Sequence, residues 1–472
     1  MNWLDLLALG PHVFLVFGAT SLLLLGAWCS KTRVILLSGI FVSLLSALLS
    51  GIAPPVDGDI AGLFSAGGYA RFFTIFWFLT AAITLMISVR FSIELNLNAG
   101  EYVALVLFAA LGMALLSSAI HLLGLFLGLE ALTLAFYVLI ASNRRSELSA
   151  EAGLKYLLLG AVATGFLAFG IGLVYTASGS LHLPEAFQGL QAEDGHLRAW
   201  GLLGWGLLLT AVGFKISLVP FHLWTADVYQ GTPSPVAAFL STGAKGAVVA
   251  GFIGLVISSG SAWKDLSDLL WVVAALTMIF GALGGLPQNN LKRLLAYSSI
   301  AHMGTVLVGI LCLTPTGFSA TIFYIVVYVI ANLGTFGVIA SFSRAGEEPE
   351  DLDQWRGLGY RNPLRCTVLT LLLLSLAGLP ATAGFIGKFA IFHAAIQSGL
   401  VSLAIIGIIS SLIAFAYYLK VVIVMFSPES QADRPSPGEP LEFGVLAACT
   451  TAVILLGLFP GPLFDLISKI LP

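Results

Sequence analysis

Fourteen apolar stretches follow one another along this chain, joined by mostly short polar links. About twenty apolar residues cross a bilayer core as a helix, at about 1.5 Å per residue. In lipid each backbone N–H and C=O must be bonded within the protein, so runs of this kind are helices. Their limits read as 5–28, 34–54, 70–90, 102–118, 120–141, 151–177, 200–223, 234–259, 267–286, 294–313, 317–342, 364–397, 400–425 and 441–463. The faintest boundary is between the fourth and fifth, where Ser117, Ser118 and His121 give a weak turn. The chain is 58% hydrophobic and 10% charged, where a soluble domain has about 25% charged residues. The predicted fold class is an all-α membrane protein.

The basic residues orient it, because Lys and Arg collect on the inner side of a membrane. With the N-terminus outside, the inner side holds Lys31, Arg33, Arg90, Arg144, Arg145, Lys292, Arg293, Arg344, Arg356, Arg361, Arg365, Lys420 and Arg434. The outer side holds Arg71, Arg198, Lys264 and Lys469. Both termini are therefore expected outside. The inner segment 344–363 mixes acids with arginines and reads as a solvated face, or as a docking contact for a neighbour.

Lys155, Lys215, Lys245 and Lys388 lie inside apolar segments, and so does Glu130. A charge at bilayer depth costs roughly 2.5–3.5 kcal/mol on insertion scales, so such groups point to ion or proton pathways. Glu130 is at the middle of the fifth span, beyond snorkelling reach. Lys215 precedes Pro220, which removes a backbone hydrogen bond and breaks the seventh helix. Lys388 follows a second break, at Gly378, Pro380 and Gly384, and is expected near the N-terminus of the second half-helix. The two lysines would then sit at electrostatically opposite helix ends. Lys245 has small neighbours, Gly243, Ala244, Gly246 and Ala247, which leave room for close packing or water.

Other polar residues carry two readings each. Lys155 is a few residues past Glu151 and fits a snorkelling surface lysine or a functional one. His222, seven residues after Lys215, would share its helix face and pass protons inward, or be a bonded core residue. Asp227 reads as a cap or solvated carboxylate. His302 with Ser298 and Ser299, and Tyr324, Tyr328 and Asn332, form polar stripes on the tenth and eleventh spans. With Lys245 and Lys388 they could form a lateral chain of proton carriers, or be interhelical glue.

The blocks 102–260 (helices 4–8) and 261–426 (helices 9–13) each put a proline-broken helix fourth. Odd-numbered blocks in succession run in opposite directions, so two inverted five-helix repeats are expected, as in many transporters. Residues 1–101 hold the first three helices, and 427–472 a polar, proline-rich linker and the last helix.

Several functions are excluded or disfavoured. Cys29, Cys312, Cys366 and Cys449 lack metal spacing and read as structural. The chain has no iron–sulfur Cys series, no P-loop and no dinucleotide fingerprint. No basic patch suggests nucleic acid, and no cleavable signal peptide is expected.

The motifs GFKISLVPFHLWTADVYQGTPSPVAAFLSTGAKGA, QNNLKRLLAYSSIAHMG and GLPATAGFIGKF resemble the antiporter-like membrane subunits of respiratory complex I, related to multisubunit Na+/H+ antiporters. Within that family the pattern most resembles the N-type branch of the bacterial NADH–quinone oxidoreductase subunits. The chain stops shortly after the fourteenth span, Lys388 stands where another branch has Glu, and a lysine occupies position 155. The resemblance implies proton translocation coupled to redox chemistry in other subunits. It implies an interacting Glu130–Lys215 pair modulated by Lys155, a central Lys245, a polar linker at His302 and a terminal Lys388 toward the outside. NADH, FMN, iron–sulfur clusters and quinone would bind elsewhere, and no cofactor or metal would bind here. The partners implied are other membrane-arm subunits, in a bacterial inner membrane. A cation/proton antiporter subunit is the alternative, and a non-pumping structural subunit a third reading.

Overall fold

The computed structural model describes residues 3–29, 31–53, 59–344, 346–428 and 438–471. The linker expected at 427–440 falls mostly outside the described residues. Among those residues thirteen helices are long and apolar enough to cross a membrane. The other crossing, the twelfth, is made of two shorter pieces, Pro363–Ala377 and Ala383–Gln397. The protein is thus a multi-pass, all-α membrane protein with the expected fourteen crossings. The weak turn between the fourth helix (Ala99–Ser118) and the fifth (Leu122–Ile140) is a true boundary, because the His121 ring accepts the Leu123 N–H and starts a new helix.

Helices start where the sequence supplies a capping oxygen. Asn98 caps the fourth helix, Ser146 the sixth (Glu147–Ser178), Asn290 the tenth (Leu291–Leu311) and Thr314 the eleventh (Pro315–Ser341). Each accepts an otherwise orphaned N–H of the first turn.

The eighth (Ser234–Ser259), tenth and eleventh helices form the buried centre, while the first, sixth, thirteenth and fourteenth face outward along most of their length. The polar positions of the sequence lie mainly on the three central helices. The eighth is not regular: a π-turn occupies Leu240–Ala244, immediately before Lys245. Ser241 and Thr242 both donate to the Ala238 carbonyl, at 2.9 and 2.6 Å, competing with the backbone ladder there.

Both expected breaks are present. The seventh helix runs Gly195–Lys215, stops, and resumes as Trp224–Gly231. Residues 216–223 are not helical, so the helical spacing expected to put His222 on the face of Lys215 does not exist. The twelfth helix stops at Ala377, where Gly378 takes φ +93°, which suits a residue without Cβ.

Two further expectations are corrected. The fourteenth span is the helix Pro440–Leu458, followed by a separate short helix, Gly461–Ile470. The inner segment 344–363 is not a solvated face throughout. The Glu348 carboxylate is buried there, taking the Lys292 ammonium at 3.1 Å, the Ser234 hydroxyl at 2.7 Å and the Ser234 N–H at 3.0 Å. Arg90, counted by sequence on the inner side, is buried and paired with Glu94 at 3.0 Å.

Candidate functional site

Glu130 and Lys215 come from facing helices, but they do not touch. Glu130 accepts the hydroxyl of Thr164, on the sixth helix, at 2.7 Å. Lys215 donates to Thr133 Oγ1, one turn past Glu130, at 2.8 Å. No N–O contact within 4.0 Å joins the pair among the described residues. Aromatic rings wall the amine: Tyr156 at 5.5 Å, Phe214 at 5.7 Å and Tyr137 at 6.0 Å from Nζ. Ring faces attract a cation and keep water out.

Lys245 is fully buried and donates to Ser299 Oγ at 2.7 Å, with the Tyr229 and Trp224 rings at 5.2 and 5.8 Å. No carboxylate neutralises it among the described residues. Burying an unpaired ammonium is costly, so this position suits a proton that arrives and leaves better than a fixed charge. Between Lys215 and Lys245 stand Tyr156 and Trp224, their ring centroids 5.0 Å apart.

Around Ser299 and its neighbour Ser298 lie two hydrogen-bonded groups, which meet where the His302 and Tyr328 rings are 5.3 Å apart. Ser299 accepts the Tyr328 hydroxyl at 2.8 Å and lies 3.3 Å from the Tyr229 hydroxyl. Its neighbour Ser298 bonds the Tyr418 hydroxyl. Tyr418 lies 3.0 Å from His302 Nε2, and Tyr324 lies 2.6 Å from His302 Nδ1. One ring nitrogen can donate while the other accepts, so a neutral imidazole can relay a proton between the two phenols. Tyr324 in turn packs on Gly387, where a Cβ would stand 2.6 Å from its Cδ2. Lys388 follows directly. Its Nζ donates to the carbonyls of Leu376 and Ala377, at 2.9 and 3.1 Å. A cavity of about 520 Å³ beside it opens between the twelfth and thirteenth helices.

This overturns the expected dipole contrast. Lys388 is six residues into its half-helix and folds back, so its ammonium sits at the carbonyl end of the preceding one. Lys215 ends its own half-helix, but its ammonium reaches the fifth helix instead.

The remaining candidates divide. Lys155 is a surface group, 40% exposed, bridging Glu151 at 2.7 Å and Asp227 at 2.8 Å. Asp227 is as exposed as Lys155, but it is also paired: it takes Arg293 at 2.7 Å and so ties the sixth and tenth helices together near their N-terminal ends. His222 packs beside Phe280, with ring centroids 6.3 Å apart, and contacts none of the lysines. Asn332 donates to the Tyr328 carbonyl of its own helix, outside the network. Residues not foreseen are Thr133, Thr164 and Tyr418. A lone threonine or tyrosine in an apolar helix is too common to single out. Among the described residues no group of three or more His, Cys, Asp or Glu is placed to hold a metal.

Comparison with known proteins shows the family and the fold. The family model of the NADH:quinone oxidoreductase/Mrp antiporter membrane region matches residues 119–414. NADH-quinone oxidoreductase subunit N of Geotalea uraniireducens is 47% identical over 404 residues, covering 85% of this chain and 86% of that protein. The subunit N of Syntrophotalea carbinolica is 43% identical over 477 residues, covering all of both chains. A chain of respiratory complex I from Thermus thermophilus, solved with bound aureothin, superposes with a TM-score of 0.81 at 34% identity. That match covers 97% of this chain and 99% of the other. A chain of the Mrp complex from Dietzia sp. shares the fold, with a TM-score of 0.84 at 20% identity, covering 100% of this chain and 97% of the other. The chain belongs to the NADH:quinone oxidoreductase/Mrp antiporter membrane family, with the subunit N proteins of NADH-quinone oxidoreductase among its relatives.

Proposed function

We propose that this chain is a proton-translocating subunit in the membrane arm of a bacterial NADH–quinone oxidoreductase. The observation that carries the reading is a pair of buried hydrogen-bonded groups, Lys245–Ser299–Tyr328 and Tyr418–His302–Tyr324, which meet where the Tyr328 and His302 rings lie 5.3 Å apart and end against Gly387, the residue before Lys388. Each member can accept one proton and release another. The network runs laterally at bilayer depth, where charges are otherwise excluded.

In the proposed cycle, a charge change in a neighbouring antiporter-like subunit disturbs Glu130 and Lys215. An opposite charge within about 4–6 Å shifts a pKa by one to three units, enough to switch such a site. Lys215 then yields its proton toward Lys245, past the Tyr156–Trp224 layer. Lys245 passes it through Ser299 and the Tyr418–His302–Tyr324 relay to Lys388 and the outside. Lys155, through Asp227, holds the inner end of this machinery in position. His222 has no part in the cycle. Redox chemistry with NADH, FMN, iron–sulfur clusters and quinone belongs to other subunits, and this chain carries no redox centre. The working unit comprises the two repeats, 102–260 and 261–426, in an inner membrane with both termini outside.

The test is NADH-driven proton pumping in membranes carrying Lys215→Ala or Lys245→Ala, after assembly is confirmed. Loss of pumping is expected for both. Parental pumping in both would sink the reading, and sodium-stimulated transport without NADH would favour an antiporter subunit.

A further inference from the structure

A cavity of about 530 Å³ lies between the start of the fourth helix and the end of the fifth, on the arginine-rich side. At about 30 Å³ per water it has room for more than ten. Its mouth is polar, with Asn98, Ser142, Asn143 and the exposed Glu101–Arg144 pair at 3.6 Å. Deeper in, Leu105 lines the wall, and Tyr137 is also part of the lining.

Tyr137 belongs to the cavity and to the buried site at once. Its ring lies 6.0 Å from Lys215 Nζ and 5.5 Å from the Tyr156 ring. Its hydroxyl occupies the space that a side chain at Gly160 would need: a Cβ there would stand 2.5 Å from the phenolic oxygen. One turn beyond Gly160 is Thr164, whose hydroxyl donates to Glu130. The Tyr137 hydroxyl at Gly160 thus lies one helical turn from Thr164, so the polar groups met in order from cavity to carboxylate are a phenol, a hydroxyl and a carboxylate. The route once expected at His222 has no such continuity.

We infer that this cavity is the inner entrance to the Glu130–Lys215 site and that Tyr137 is the side chain that closes it and passes protons. The phenolic oxygen takes a proton from cavity water and releases its own O–H proton toward Thr164, ending neutral. Thr164 repeats the exchange toward Glu130, and Lys215 is reloaded from there. The inference rests on the proton-pumping reading above and adds where protons come in.

The experiment uses the assembled complex in inside-out vesicles, with Cys29 replaced by Ser. Tyr137→Phe keeps the ring and removes the hydroxyl. NADH-driven pumping should fall about tenfold, short of the full value of a proton-transfer group because water can partly substitute. The residual rate should depend more steeply on inner-side pH, and Tyr137→His should recover much of the loss. A purely structural role would move neither. Independently, Leu105→Cys should react with a membrane-impermeant thiol reagent from the inner side, and the reaction should block pumping. Should Tyr137→Phe fail to assemble, the labelling result decides. Lys215→Ala runs in parallel. If it abolishes pumping while Tyr137→Phe and labelled Leu105→Cys pump like the parent, the entrance is elsewhere and the proposed function stands. If Lys215→Ala pumps normally, the proposed function fails first.

Discussion

At the break in the seventh helix the freed backbone groups are bonded by neighbouring residues; at the break in the twelfth they are bonded by the lysine itself. In the first, Thr277 accepts the Val219 N–H at 3.0 Å, and the Trp224 indole donates to the Phe214 carbonyl at 3.1 Å. Lys215 takes no part and is free to bond Thr133. In the second, Ser375 Oγ accepts the Gly384 N–H at 3.2 Å, but the Leu376 and Ala377 carbonyls depend on Lys388. Lys215 can thus move or lose its proton without disturbing its break. Lys388 cannot swing away without leaving both carbonyls unpaired, though as a neutral amine it keeps two N–H donors and can hold them while its proton leaves.

Five substitutions would break or sharpen this contrast. Lys388→Met leaves two carbonyls without partners and should cost about 3 kcal/mol, at roughly 1–3 kcal/mol per buried unpaired group. Lys215→Met should cost only about 1 kcal/mol, for one lost hydroxyl bond. Equal losses in thermal stability of the two assembled variants would refute the contrast. Thr277→Val strands the Val219 N–H at a cost of about 2 kcal/mol. Amide exchange should quicken at 216–223 and stay unchanged at 378–383; quickening at both sites would mean that the breaks are coupled.

Thr133→Val removes the hydrogen-bond partner of Lys215 without touching the break. Pumping should slow roughly tenfold, about 1.4 kcal/mol, with about 2 kcal/mol of stability lost to the stranded ammonium and amide exchange at 216–223 unchanged. A parental rate would show that Lys215 needs no fixed partner. Ser375→Ala is the mildest, at about 1 kcal/mol, and should loosen only the second break in an exchange measurement.

Much of this was legible in the chain. Pro220 and Pro380 marked both breaks because proline cannot continue a helix. Lys245, Lys215, Lys388 and Glu130 stood out because few apolar windows contain a charge. Lys155 was legible only as an ambiguity, since a lysine four residues from Glu151 near a helix end fits two environments. The π-turn before Lys245 had a faint signal in Ser241–Thr242–Gly243, whose hydroxyls compete for backbone carbonyls. His222 misled because its spacing from Lys215 has meaning only along an unbroken helix, and the proline between them ended it.

The number of crossings and the presence of charged groups within them were determined by the sequence itself. Each follows from the cost of polar groups in lipid, a property of one window of about twenty residues at a time. The partner of each buried group was decided only by tertiary structure. Lys245 meets a serine 54 residues away, and that serine's neighbour meets a tyrosine 120 residues away. Helix packing brings such residues together, and the spacing along one helix carries no record of which face a distant helix will present to it. The same holds for Lys388, whose place at a carbonyl end depended on the chain folding back across its own break.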